Sequence, residues 1–275
     1  MVNLKNRLRV KETSWLYVLF CPDRWKEAFL YFKNKNKPVV GEAGDLPDPR
    51  DLHARLGKAS YRVTVPEKFS LREKAIRFGW GLTKQSKNSC TAYSKGHGVE
   101  VTNTIEHGKA VFIDKEEQWG YQEATGGSRA HGDLIQNAEK QFHKHPQGLP
   151  QSQYRRLRRQ ENTVFGAKIW LLKNETIRSG IHWGWVKKIR NTNSGFMKQT
   201  GEFIPCDGQP SGGHAVCLTG WDDTRVNSDG TLGAFEAVES EKMKWGNNPL
   251  GVFWIKYSDF HNIFSKYLSR DTWDI

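Results

Sequence analysis

A cysteine and a histidine form the strongest chemical pair in this 275-residue chain. Cys90 stands in QSKNSCTAYSKGHGVEV, directly ahead of a segment that reads as a helix. A thiol attacks only as a thiolate, and its free pKa is about 8.5. The positive end of a helix and a neighbouring imidazolium both lower that value. Cys90 is placed for the first. His214 is placed for the second: in SGGHAVCLTGWDD, Gly212 and Gly213 let backbone approach closely, and AVCLTGW alternates as a strand does. The bland alternative is a buried structural thiol. His143 and His145 end a predicted helix, and His97 lies about two turns beyond Cys90, out of reach of its thiol.

The remaining thiols, Cys21, Cys206 and Cys217, form no C-x-x-C pair and are too few for a disulfide scaffold, so a reducing compartment is expected. A Cys206–Cys217 bridge stays open but is not indicated. Cys206, His214 and Cys217 match no common zinc spacing and lack a fourth ligand, so no metal and no cofactor are expected.

The elements that must position Cys90 and His214 fall into two textures. Trp25, Ala28, Phe29 and Phe32 recur at helical spacing, residues 36–58 read as a Pro- and Gly-bearing arm, and YRVTVP (61–66) as a strand. Residues 90–106 are predicted helical, with Ser89 placed to cap the start and Gly96 and Gly98 weakening it. Residues 114–132 read as a loop, 131–145 as an amphipathic helix ended by Pro146, 146–160 as a polar connector and 167–175 as a short helix. Strand-like stretches follow: TIRSGIHWGWV, HAVCLTGWDD, GAFEAVES and GVFWIKYSDF. Helices first and strands afterwards argue for an α+β fold.

The formal net charge is +12, from 42 Lys+Arg against 30 Asp+Glu, which favours acidic partners without bearing on fold. Its densest run, YRRLRRQ (154–160), reads as a solvated face; with the lysines at 187–188 it is also the one place for a nucleic-acid contact. WLYVLF (15–20) is too short to span a bilayer and no small-residue cleavage site follows it, so no membrane contact and no export signal are expected, and a cytoplasmic or virion-associated protein is the reading.

Four segments taken in order resemble the papain-like (C1-type) cysteine peptidases. CTAYS resembles the opening of their active-site helix, GGHAVCLTGWDD their histidine strand, FEAVESEKMKWGNNPLGVFWIKYSDF the strand–turn–strand bearing their third catalytic residue, and PEKFSLRE the segment shortly before the nucleophile. His214 follows Cys90 by about 124 residues, close to the roughly 130–150 of papain and the cathepsins. The resemblance covers about residues 61–262. It implies a helical subdomain (about 80–165) packed against an antiparallel, barrel-like β subdomain (about 166–275), with a cleft between them, and residues 1–60 as an arm.

The resemblance also implies roles. Cys90 is the nucleophile and His214 its ion-pair partner and proton donor. Gln85, five residues before Cys90 where the family has six, supplies an oxyanion donor. Gly126 and Gly127, with Gly213, pair with the backbone of a peptide or protein substrate. The family's orienting Asn is replaced by Glu239, and the Trp after it by Glu241. Trp183 and Trp245 line the cleft or pack in the core. The expected function is peptide-bond hydrolysis through a thioester. The alternative is an impaired scaffold serving as a structural or assembly protein, such as part of a phage-type particle, with the arm as its docking element. The arm itself reads as a proregion, a docking arm or packing against the core.

Overall fold

The computed structural model describes residues 40–43, 64–86, 88–128, 133–134, 138, 153–157, 163–182, 200–203, 212–263 and 265–270. Pro66 carries no N–H and ends no strand; the first strand of the main body lies beyond it, β2 (Lys68–Ser70), following the arm strand β1 (Val40–Ala43). Ser70 then caps the next element, its hydroxyl accepting from Glu73 N at 3.0 Å, and α1 (Leu71–Arg77) begins.

The central helix, α2 (Cys90–His107), ends at Gly108 with φ +62°. It is buried along nearly its whole length, polar residues included. Its two glycines have a packing reason. A Cβ on Gly98 would stand 2.6 Å from Thr176 Oγ1, and one on Gly96 2.7 Å from Lys115 Cγ. The helix-propensity cost of about 1 kcal/mol each therefore accompanies close approach to its neighbours. Glu100, fully buried, is matched by Trp80 Nε1 at 3.1 Å, Ile113 N at 2.9 Å and the Lys115 ammonium. Ser89 occupies the N-cap position, but its hydroxyl donates to Ser86 O at 2.9 Å and does not cap the helix.

The expected loop over 114–132 is mostly helix: α3 (Lys115–Ala124) starts where Asp114 accepts from Glu117 N at 2.9 Å. The expected helix start near 131 is a strand, β3 (Asp133–Leu134), and the expected connector contains β4 (Gln153–Arg156). Ala138 is helical and buried, and the rest of 135–145 lies outside the described residues. Thr163 caps α4 (Val164–Leu172), which starts ahead of its expected span. The strands β5 (Ile177–His182), β6 (Gly212–Val226), β7 (Leu232–Val238), β8 (Val252–Lys256) and β9 (Ser265–Arg270) complete the order, with a 3-10 turn at Tyr257–Asn262.

The fifteen-residue β6 is the organising strand. It pairs antiparallel with β2, β5 and β7, while β9 joins β5 to β4 and β8 closes on β7. A side chain at Gly220 would run into Phe69 O, so only glycine lets β2 cross there. Phe69 stacks on Trp221 at 4.8 Å, and Phe235 packs on Phe260 at 4.9 Å, inside a core that includes Leu71, Trp170 and Phe253. Glu236, on β7, accepts from Arg72 (2.8 and 3.0 Å), Ser70 (2.7 Å) and Thr219 (2.7 Å), tying α1 to the sheet. The α+β class is as expected. The barrel-like expectation is corrected: the sheet is open, because its strands run from β3 and β1 through β6 and β5 to β9 and β4 without returning on themselves.

No helix among the described residues is long and apolar enough to cross a membrane. The expected helix at 25–32, the run at 15–20, Cys21, Trp183, the lysines at 187–188 and Cys206 lie outside the described residues. Residues 154–156 belong to β4 and Leu157 is buried; the side chains of 154–156 also lie outside the described residues.

Candidate active site

Cys90 is the first residue of α2 and is fully buried. Its Sγ accepts from the Ala215 N–H at 3.5 Å, so the thiol rests against the residue that follows His214. The first-turn N–H groups of a helix favour negative charge at this end, and a thiolate is that charge.

His214 is held in β6 by its pairing with Ile181 of β5. The ring is buried, with Nε2 at 3.9 Å from Glu239 Oε2. Burial pushes the imidazole pKa down to about 3.

Glu239 follows the last residue of β7, and its own N–H donates to Gly251 O at 2.8 Å. Its carboxylate accepts two backbone bonds, Oε2 from Glu241 N (2.6 Å) and Oε1 from Met243 N (2.7 Å). Burial pushes this carboxyl up to about 7, and the Met243 and Glu241 N–H groups oppose that rise. Desolvation thus drives both partners toward their neutral forms, while their mutual attraction favours the charged pair.

The ring nitrogen that faces the acid is Nε2. Trp245, buried in the core, lies beside the Glu239 carboxylate and favours its charged form. Trp245 thus stands by the acid from further along the chain than Glu241, which occupies the family's Trp position.

Gln85 is bound twice to Ser240: its N–H donates to Ser240 O at 2.7 Å, and its Oε1 accepts from the Ser240 hydroxyl. Gly126 has φ +124°, and the Gly127 N–H donates to Gln122 O at 2.8 Å, closing the end of α3. Gly213 lies in β6 beside His214 and pairs with His182 on one side. On its other side comes an element that sequence alone did not disclose. The arm strand β1 runs parallel to β6, Val40 opposite Gly212 and Gly41 opposite Gly213. The same strand pairs parallel with β3, Glu42 opposite Asp133 and Ala43 opposite Leu134. It also contacts α2, the helix that begins with Cys90.

Cys217 is a free thiol, not a bridge to Cys206. It is buried against Gly98, and burial pushes its pKa up to about 11, so it is a core residue. His97 is likewise buried, its Nε2 at 3.1 Å from Thr83 Oγ1. No group of three or more His, Cys, Asp and Glu among the described residues is arranged to hold a metal ion.

No family model matches the sequence, and no curated protein does. Solved structures do. Xylellain, a cysteine protease from Xylella fastidiosa, matches with a TM-score of 0.64 at 18% identity, over 86% of this chain and 98% of its own. Procathepsin B S9 from Trypanosoma congolense matches with a TM-score of 0.66 at 15% identity, over 86% of this chain and 87% of its own. Likeness at these identities is likeness of fold, and on that ground the chain carries the fold of the papain-like cysteine proteases.

Proposed function

We propose that the chain is a papain-like cysteine peptidase held latent by its own N-terminal arm. The observation that carries this reading is the meeting of Cys90 Sγ with Ala215 N while His214 Nε2 faces Glu239. A nucleophile at a helix start, a base on a strand and an acid behind the base are the parts of a thiol acyl-transfer site.

The Cys90 thiolate adds to the scissile carbonyl carbon, and the carbonyl oxygen becomes an oxyanion. The Cys90 backbone N–H and Gln85 Nε2 stabilise it. The oxyanion collapses to a thioester as the C–N bond breaks, and His214 gives its proton to the departing amine. Water, deprotonated by His214, then displaces the thiol and leaves a carboxylic acid. Glu239 orients the ring and favours its protonated form.

The arm supports the latent state. β1 fills the edge of β6 at Gly212–Gly213, the place where an extended peptide would add as a strand. With it in place Cys90 and His214 are closed to solvent. The chain should therefore hydrolyse fluorogenic peptides only after cleavage within about residues 44–63 and release of the arm. Incubation at mildly acidic pH, mass spectrometry of the new N-terminus and a peptide assay with and without iodoacetamide test this. Turnover that survives Cys90→Ser, or an arm-cleaved protein with neither turnover nor Cys90 labelling, refutes the reading.

A further inference from the structure

The two oxyanion donors of the peptidase reading, Gln85 Nε2 and the Cys90 N–H, stand at the ends of one short segment, and the turn between them fixes their spacing. That turn bends at Asn88, φ +56°. A non-glycine residue at positive φ is disfavoured and persists where its surroundings hold it. Ser86 opens the turn and Ser89 closes it: the Ser89 hydroxyl donates to Ser86 O at 2.9 Å and lies 3.0 Å from the Ser86 hydroxyl. The Ser86 N–H is held as well, donating to the phenolic oxygen of Tyr93, about one turn into α2. Both main-chain groups of the residue after Gln85 are therefore bound by side chains at the start of the nucleophile's own helix.

Tyr93 is itself anchored. It is buried, its hydroxyl donates to Glu116 Oε1 of α3 at 2.8 Å, and its ring stands edge-on to His97 at 5.9 Å. The same face of α2 meets the segment twice more. His97 Nε2 stands 3.1 Å from Thr83 Oγ1, and Glu100 Oε2 accepts from Trp80 Nε1 at 3.1 Å. Positions 93, 97 and 100 follow one helix face and meet positions 86, 83 and 80 in reverse order. The Tyr93 tie is the one nearest the thiol, and it uses a hydroxyl that accepts and donates at once. Phenylalanine would fill the same space and take this partner from both the Ser86 N–H and the Glu116 carboxylate.

We infer that Tyr93 is a positioning residue for the oxyanion site: its hydroxyl, braced by Glu116, holds the Ser86 peptide and so sets the spacing between Gln85 Nε2 and the Cys90 N–H. The inference rests on the peptidase reading. Donors lower the barrier most when they already stand where the charge develops, and a turn held at both ends removes their reorganisation. The hydroxyl does not act on the thiol–imidazole pair.

Three variants of the arm-cleaved protein test this: Tyr93→Phe, Glu116→Gln and Thr83→Val. Each is measured for peptide hydrolysis, for affinity toward a peptide aldehyde and for the rate of Cys90 alkylation by iodoacetamide. The thiolate adds to the aldehyde carbonyl carbon, and the oxygen takes the electron pair and then a proton; alkylation displaces iodide and builds no oxyanion. Tyr93→Phe should lower kcat and aldehyde affinity about 3–10-fold, the range of one hydrogen bond, with KM and alkylation unchanged. Glu116→Gln keeps an acceptor for the phenol and should stay within about twofold of wild type. Thr83→Val breaks a tie further from the donors and should also stay within about twofold.

Wild-type kcat in Tyr93→Phe overturns the inference and leaves the peptidase reading standing. So does an equal fall in alkylation and hydrolysis, which would place the effect on the thiol–imidazole pair. So does a loss in Thr83→Val as large as that in Tyr93→Phe, which would make the whole segment and not the hydroxyl the cause. A wild-type protein whose Cys90 alkylates but which neither cleaves peptides nor binds the aldehyde overturns both.

Discussion

Replacing Glu239 by Gln separates the two tasks of this carboxylate, and the structure supplies a magnitude for each. The Oε2–Nε2 separation is 3.9 Å. At an effective dielectric near 20, unit charges so spaced attract by about 4 kcal/mol, or about 3 pKa units on the imidazole. Some of that is offset because burial raises the Glu239 carboxyl to about 7, leaving it only partly ionised at neutral pH. The expected shift is therefore about 1–3 units. A carboxylate stabilises the imidazolium, so its loss lowers the His214 pKa. In the arm-cleaved protein the alkaline limb of kcat/KM, and of Cys90 alkylation by iodoacetamide, should move to lower pH by that amount.

The second task is structural. Both carboxylate oxygens accept a backbone N–H, from Glu241 and Met243. An amide offers one acceptor and turns a donor toward the other N–H, leaving it without a partner at a cost of about 1–3 kcal/mol. Urea unfolding should show that loss in the same variant. An alkaline limb that stays within about 0.3 units of wild type refutes the coupling of Glu239 to His214, whatever happens to stability.

Other outcomes follow from the same geometry. Glu239, raised to about 7, contributes stability that is present below about pH 4.5 and is lost as pH rises through 7. His214, lowered to about 3, contributes stability that is present above about pH 6.5 and is lost as pH falls through 3. The two slopes oppose between about pH 4.5 and 6.5, so Glu239→Gln should steepen the loss of thermal stability on acidification there; a slope no steeper than wild type would count against it. Glu236→Gln removes the buried carboxylate that balances Arg72, leaving it only the longer contact with exposed Glu73 at 3.5 Å, and should cost about 3–5 kcal/mol in urea unfolding, far more than a surface carboxylate. Gly98→Ala places a methyl 2.6 Å from Thr176 Oγ1 and should cost about 1–3 kcal/mol; a neutral or stabilising result would show that α2 can withdraw from the sheet.

The elements that carry Cys90 and His214 were legible because the neighbours of these residues carry local signals. A Cys placed at a helix start behind Ser89 and a His after two glycines each imply an element and an end of it, and the structure finds both elements where expected, although Ser89 does not cap. Glu239 was reachable only through the register of the segment around it. α3 hid behind its glycines, although Asp114 with Glu117 three residues on is a helix-start signal that outweighs Gly120. The central position of α2 was not legible, because nothing local marks Lys95, Glu100 and Asn103 for burial, which depends on distant parts of the chain. Glu100, for one, needs Trp80, Ile113 and Lys115. Sheet openness and the placing of β1 are long-range pairings, which no local pattern of apolar residues encodes.

The arm strand is only four residues long, with two residues in register on each neighbour. As a separate peptide so short a ladder would bind weakly, since each backbone bond nets only about 0.5–1.5 kcal/mol. Tethered to its own chain, it competes from an effective concentration on the order of millimolar. One backbone cut dilutes it to the bulk protein concentration, about a thousandfold lower at micromolar levels, with every contact unchanged. On the latency proposed above, occupancy of the Gly212–Gly213 edge is governed by chain connectivity, and tighter pairing there would keep the edge filled even after the cut.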